Sequence, residues 1–215
     1  MREIESPRET PAKAHAVAWL AVVFIPLIAS QLLRLHQHEP FGWIAWDYAG
    51  RLGALMIAAA IPAARAVAFR AEENQLSGLE IGLWVVGLSF VERFSQPVRL
   101  FMTTNFPGTV FGTYPRPSGW LYFFDLVFGL ALVALTEEIV FRRCVEHVLR
   151  MWLSGRILLV MVSSLLFGGY HWWSGLGNVT TAALLGAGFT LMLQRSVALW
   201  PVVLAHYLID LVEFA

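Results

Sequence analysis

The chain has 215 residues, of which 58% are hydrophobic and only 14% charged, with a mean hydropathy of +0.64 and a formal net charge of +0. So few charges exclude an ordinary soluble domain, where they run near 25%. The balanced charge, without a long basic stretch, argues against a nucleic-acid partner. Apolar runs of about twenty residues recur from end to end and predict an all-α, polytopic membrane bundle of about seven transmembrane helices (six to eight), a single integral membrane domain over 1–215. Cys144 is the only cysteine, so no intramolecular disulfide can form. Nothing near it supplies the basic partner a nucleophilic thiol needs.

In chain order, Met1 to Lys13 mixes acids and bases (Arg2, Glu3, Glu5, Arg8, Glu9 and Lys13), and no small-x-small cleavage site follows Ala29-Ser30. The first apolar run is therefore expected to be a retained span and not a cleaved leader. The candidate spans are Ala14–Leu33, Trp43–Ala64, Leu79–Phe94, Trp120–Thr136, Ile157–Tyr170, Val179–Leu193 and Val197–Val212. Several are short and need tilt or flanking residues to complete a crossing. Within the second, Asp47 and Arg51 stand four apart on one helical face and read as a neutralising ion pair near the interface.

From Gln96 to Gly119 the pattern breaks. Pro97, Pro107, Pro115 and Pro117, with Gly108, Gly112 and Gly119, argue against a long helix there. The interleaved Phe101, Phe106, Phe111, Tyr114, Trp120 and Tyr122 predict a loop lying on the membrane surface, since amphipathic aromatics gather at the headgroup level. Lysine and arginine counting then orients the chain. With the N-terminus inside, the cytoplasmic segments hold Arg2, Arg8, Lys13, Arg65, Arg70, Arg142, Arg143, Arg150, Arg156 and Arg195. The other side holds only Arg34, Arg93, Arg99 and Arg116, which favours a cytoplasmic N-terminus.

Three pieces of the second half put ionisable groups into apolar sequence: Glu137-Glu138-Ile-Val-Phe-Arg142, Phe167-Gly-Gly-Tyr-His171 and His206-Tyr-Leu-Ile-Asp210. A charge at the centre of a membrane helix costs about 2.5–3.5 kcal/mol on insertion scales, so such groups need partners and often have a function. On the first helix Glu138, Arg142, Glu146 and Arg150 recur every fourth residue with alternating sign, a salt-bridge ladder on one face. Glu137 points off that ladder and has no obvious local partner. Ser154-Gly155 is the natural turn to the next helix, and Glu137 and His171 lie seventeen residues before and after Ser154. An antiparallel hairpin therefore brings them to one depth, roughly 25 Å from the turn at 1.5 Å per residue. His206 and Asp210 share a face of the last helix, so the carboxylate could fix the ring tautomer while the ring N–H serves a developing oxyanion.

Glu-Glu-x-x-x-Arg, Phe-x-x-x-His and His-x-x-x-Asp, in that order on a multi-span chain, resemble the CAAX-protease and bacteriocin-processing (Abi) family of intramembrane glutamate-dependent proteases. The resemblance covers about residues 120–215, and Leu135 to Arg142 is its closest stretch. It implies an intramembrane endopeptidase. Glu137 would be the general base, His171 would help polarise the attacking water, and His206 with Asp210 would stabilise the oxyanion. Glu138, Arg142 and Phe167 would be structural neighbours of the site. Burial would raise the Glu137 pKa toward neutrality. Prenyl-protein endopeptidases of the family carry asparagine where this chain has Asp210. A protonated Asp210 would donate to the oxyanion, whereas an ionised one would accept from His206 and make that ring the better donor.

Two other readings compete. Glu137, His171, His206 and Asp210 could ligate zinc, although no His-Glu-x-x-His helix is present. A non-catalytic scaffold or immunity protein of the same fold would not need the full set of ionisable residues. No cofactor is expected. The partners are the lipid bilayer and a membrane-tethered protein or peptide substrate, whether a prenylated tail, a peptide or a C-terminal sorting signal. A bacterial inner membrane is the expected location. A site so far from a cytoplasmic turn would sit toward the outer leaflet.

Overall fold

The computed structural model describes residues 9–215. The basic and acidic residues from Arg2 to Arg8, used above for orientation and for the retained first span, lie outside them. Among the described residues the secondary structure is helical, apart from an isolated bridge between Val110 and Ser174. Helix α1 is Glu9–Arg34, α2 Pro40–Ala60, α3 Pro62–Ala68 and α4 Gly78–Asn105. The chain is then helical without interruption over residues 119–149, here α5, with π-helical stretches at Asp125–Gly129 and Glu138–Val145. Helix α6 is Arg156–Tyr170, α7 Leu176–Ser196 and α8 Trp200–Phe214.

The distribution of polarity is inverted relative to a soluble protein. Arg34, Asp47, Arg51, Glu137, Glu138 and Arg142 are buried, whereas Leu79, Phe94, Ile157 and Val212 are each at least 75% exposed. Water would penalise both placements, and a hydrocarbon surround removes the penalty on the outer face. With its apolar helices, the chain is an integral membrane protein. Two helices, α1 from Pro11 and α7, are long and apolar enough to cross a membrane by themselves, or three spans if α2 and α3 together count as one.

Several boundaries differ from the sequence expectation, each for a local reason. The second span breaks at Ile61, where α2 and α3 meet at 110°. Pro62 has no N–H to continue the ladder and pushes Ile61 to an extended φ of −84° and ψ of 114°. Conversely, α4 starts on a Ser77–Glu80 capping box and runs through Pro97 to Asn105, so the loop begins at Phe106 and not at Gln96. Packing against α7 holds it there. A Cβ on Gly177 would stand 2.6 Å from the Arg99 carbonyl, so only glycine admits this approach. The span expected to end at Thr136 and the charged helix expected to follow it are one helix.

Helix α5 runs between α2 and α8, while α1 packs on α2 and α6 on α7. The α6–α7 approach is as close as glycine allows: a Cβ on Gly168 would lie 2.5 Å from the Val179 carbonyl. One core forms around Val23, Leu27, Phe141, Val145 and Phe167, and a second around Leu88, Phe189, Met192, Val202 and Ile209. A third, smaller cluster holds Trp43, Ile44 and Trp173, and His206 touches Phe167 of the first core and Phe189 of the second.

Candidate active site

The turn at residues 150–155 folds α6 back along α5 and brings Glu137 Oε2 to 3.7 Å from His171 Nε2. Helix α8 delivers His206 Nε2 to 4.0 Å from the same oxygen. All three, with Phe167 and Asp210, line a cavity of about 510 Å³ whose walls include Leu130, Val133, Leu185 and Ile209. The four residues expected to be catalytic therefore share one cavity.

Each side chain is held by something identifiable. His171 Nδ1 lies 2.9 Å from the Phe167 carbonyl, one turn back on α6. A carbonyl can only accept, so Nδ1 carries the proton and the neutral ring presents Nε2 to Glu137 as an acceptor. Glu137 Oε2 is buried and accepts no hydrogen bond among the described residues. Two acceptors 3.7 Å apart in a buried site call for a donor common to both, and a water molecule supplies two. Phe167 packs edge-on against His171 at 5.0 Å and His206 at 6.2 Å, and Phe189 stacks on His206 at 4.8 Å. Both imidazoles are thereby fixed in plane.

The adjacent carboxylates address different nitrogens of one ring. Glu138 Oε1 is 2.8 Å from His206 Nδ1, while Glu137 faces the Nε2 side. Asp210 Oδ2 lies 3.4 Å from Nε2. The sequence made Asp210 the carboxylate that sets the tautomer. The closer hold is Glu138 on the opposite nitrogen, and Asp210 faces the nitrogen that points into the cavity. The π-helical stretch starts at this pair, and such wide turns recur at functional sites because they re-aim side chains.

Two rungs of the expected ladder are present, with Arg142 Nε 3.1 Å from Glu138 Oε2 and Arg150 Nη2 3.2 Å from Glu146 Oε2. The first is an ion pair without hydrogen-bond alignment, because no guanidinium nitrogen of Arg142 is satisfied among the described residues. The face is not solvated: Glu138, Arg142 and Glu146 are all buried. Arg142 lies over the Phe167 ring at 4.6 Å.

Glu137 does have a partner, contrary to the reading of its helix alone. Arg51 Nη1 donates to Glu137 Oε1 at 2.9 Å from 86 positions away. The Asp47–Arg51 pair forms at 2.7 Å as expected, but it is part of the site and not an isolated neutralised pair. Asp47 also pairs with Arg34, whose guanidinium lies over the rings of both Trp43, at 4.4 Å, and Trp173, at 4.3 Å. An alternating chain of charge thus runs Arg34–Asp47–Arg51–Glu137. Arg51 thus supplies, from a distant helix, the cationic partner that the local sequence of Glu137 lacks. Arg34 and Arg51 were missed as site residues, although ionisable groups in apolar helices were the available signal.

The loop over residues 106–118 also departs from a simple surface anchor. Phe111 and Gly112 donate backbone N–H bonds to the Trp173 carbonyl at 2.9 and 3.0 Å, and Gly112, Thr113 and Tyr114 line the cavity. Tyr114 and Tyr48 both donate to Asp125, in the first π-helical stretch of α5. Among the described residues no three His, Cys, Asp or Glu side chains stand at metal-ligand spacing around one point.

The fold and site define a class: a helical integral membrane protein with a glutamate and two histidines lining one internal cavity. Residues 118–212 match the family model described as type II CAAX prenyl endopeptidase, Rce1-like, which places this stretch in the CAAX-protease family, a family of membrane endopeptidases. The match begins after Arg34, Asp47 and Arg51, so these lie outside it. No curated protein and no solved structure matches the chain.

Proposed function

We propose that this chain is a glutamic-type intramembrane endopeptidase that hydrolyses a peptide bond near the C-terminus or membrane anchor of a membrane-tethered substrate. The observation that carries this reading is the unsatisfied Glu137 Oε2 facing the acceptor nitrogen of His171 at 3.7 Å and the ring of His206 at 4.0 Å. A water donating one proton to Glu137 and the other to His171 has its lone pair directed at the cavity. As that oxygen attacks the scissile carbonyl, Glu137 takes the proton and then returns it to the leaving amine. His206 donates from Nδ1 to Glu138 and, as the doubly protonated imidazolium, also presents an Nε2–H to the carbonyl oxygen as it gains charge. Asp210, 3.4 Å from Nε2, is a second and weaker hold on the ring.

Arg51 is a positioning residue, fixing the other Glu137 oxygen so that Oε2 alone faces the water. Residues 1–215 form one membrane domain in this reading, with a catalytic core over about 120–215 completed by charges from α1 and α2. Besides the helices that cross by length alone, α4, α5, α6 and α8 lie in the bilayer, where tilt and the continuous 119–149 helix compensate for short segments. The apolar cavity walls suit a lipidated or hydrophobic tail. The N-terminus is cytoplasmic in a bacterial inner membrane.

The test is cleavage by the purified chain in proteoliposomes, offered prenylated C-terminal peptides and the hydrophobic tails of surface proteins. At least one class should be cleaved, at a rate unchanged by a strong zinc chelator. Loss of activity on chelation, restored by zinc, would transfer the chemistry to a metal. Binding without cleavage of either class would support the scaffold reading.

A further inference from the structure

A second cavity, of about 560 Å³, opens at the end of the bundle where α5 turns into α6 and α7 into α8. Arg70, Arg142, Arg143, Arg150 and Arg156 line it, opposed by Glu72 and Glu146. Those two carboxylates are already engaged, Glu72 with Arg143 and Arg70 and Glu146 with Arg150. Five guanidinium groups against these two carboxylates, and Glu138 behind Arg142, leave the lining cationic, and His147 borders it as well.

The hydrogen-bond inventory is more specific than the charge. Arg142 Nη1 and Nη2, Arg143 Nε and Gln194 Nε2 are buried and find no acceptor among the described residues. Gln194 spends its carbonyl oxygen on Arg156, leaving its amide nitrogen unmatched. Glu146 Oε1 is a buried acceptor in the same position, but the donors outnumber it. An unsatisfied buried donor costs about 1–3 kcal/mol, and more when charged. Such a set is stable when an anion with several acceptor oxygens sits among it. The uncapped N-terminus of α6, at Gly155 and Arg156, adds backbone N–H groups at the same place.

An apolar groove of about 480 Å³ adjoins this cavity, sharing Arg70 and continuing along Leu135, Ile139, Leu199, Trp200 and Leu204. We propose that the cationic cavity binds a phosphate-bearing anion, and that the neighbouring groove favours a phospholipid headgroup with an acyl chain lying along it. The two cavities share no lining residue, although Arg142 links them through Glu138, and the test does not require proteolysis.

The full chain is embedded in nanodiscs holding equal phosphatidylglycerol and phosphatidylcholine, and the lipid retained on release is read by native mass spectrometry. In parallel, thermal unfolding in detergent is followed while inorganic phosphate is titrated. Arg150 and Arg156 are exposed at the turn, so the double substitution Arg150→Gln/Arg156→Gln removes charge without emptying a core. Preferential retention of phosphatidylglycerol, weakened on the order of tenfold or more in the double variant, supports the lipid. A phosphate-dependent rise in Tm that the variant loses, without lipid preference, assigns the site to free phosphate. Equal retention of both lipids with no phosphate effect, or retention unchanged in the variant, overturns the proposal. Should the double variant not fold, Arg70→Gln is read in the same way.

Discussion

Glu137 and Glu138 are neighbours in sequence and differ in every contact that matters. Glu137 rests on Arg51 and offers a free oxygen to the cavity, while Glu138 rests on Arg142 and grips His206. This division makes a testable ranking. Because Glu138 holds the ring, Glu138→Ala should lower kcat about a hundredfold, the scale of losing a positioned oxyanion donor. Asp210→Asn, which leaves that hold intact and supplies an amide, should stay within about tenfold of the wild type. The measurement is turnover of one cleavable peptide by both variants, with circular dichroism to show that the helices persist. If Asp210→Asn is the more damaging of the two, the orienting role belongs to Asp210. The spacing of His206 and Asp210 was legible in the sequence and suggested a local pair. The Glu138 contact was not, because it joins positions 68 apart and depends on how α8 leans on α5.

Helix existence could be read from hydropathy, and most helix ends lie near their expected places, because apolar runs flanked by turn residues leave few alternatives. The misreadings came at prolines, whose effect depends on surroundings. Pro62 broke a helix at an exposed corner, whereas Pro97 was carried inside α4 because α7 packs against that segment. Periodicity also could not show that residues 138–145 adopt π-helical turns, since the i, i+4 charge pattern is compatible with either winding. A further local feature was invisible. Val197 adopts φ 63° and ψ −46° where α7 ends, and Ser196 Oγ bonds the Ala198 carbonyl at 2.8 Å across the turn. A β-branched residue there stores strain on the order of 1–3 kcal/mol. Val197→Gly should therefore raise stability by about 1 kcal/mol, net of some lost packing, read as a higher unfolding midpoint in detergent. A lower midpoint would mean that the valine side chain contributes more than its backbone costs.

At the scale of the molecule, the cationic cavity lies at the α5–α6 and α7–α8 turns, while the cavity holding Glu137 and His171 is bordered by the loop at Gly112 to Tyr114. Lys13 lies over Trp152 at the end that holds Arg143, Arg150 and Arg156, so the start of α1 and the cationic turns share a side. With that side cytoplasmic, Ser154→Cys should resist a membrane-impermeant maleimide in intact cells and Asn105→Cys should react. Cys144 is buried and gives no background. The reverse pattern would turn the protein over and point the cavity at the cytoplasm. The second half of the chain was the legible half of the site, because its motifs are local. The contribution of α1 and α2 required the fold, since Arg51 meets Glu137 only when α2 lies against α5.

The central claim is that Glu137 activates the water, and the most direct measurement is turnover by Glu137→Gln in proteoliposomes beside the wild type. The substitution keeps shape and can still accept from Arg51, but it cannot take a proton. General-base catalysis typically supplies 10²–10⁴-fold, so the variant should retain less than about one hundredth of wild-type turnover with its unfolding midpoint close to that of the wild type. His171→Ala, which removes the second acceptor, should behave alike. A folded Glu137→Gln protein that keeps more than about a tenth of wild-type turnover would contradict the account and remove the carboxylate from the chemistry.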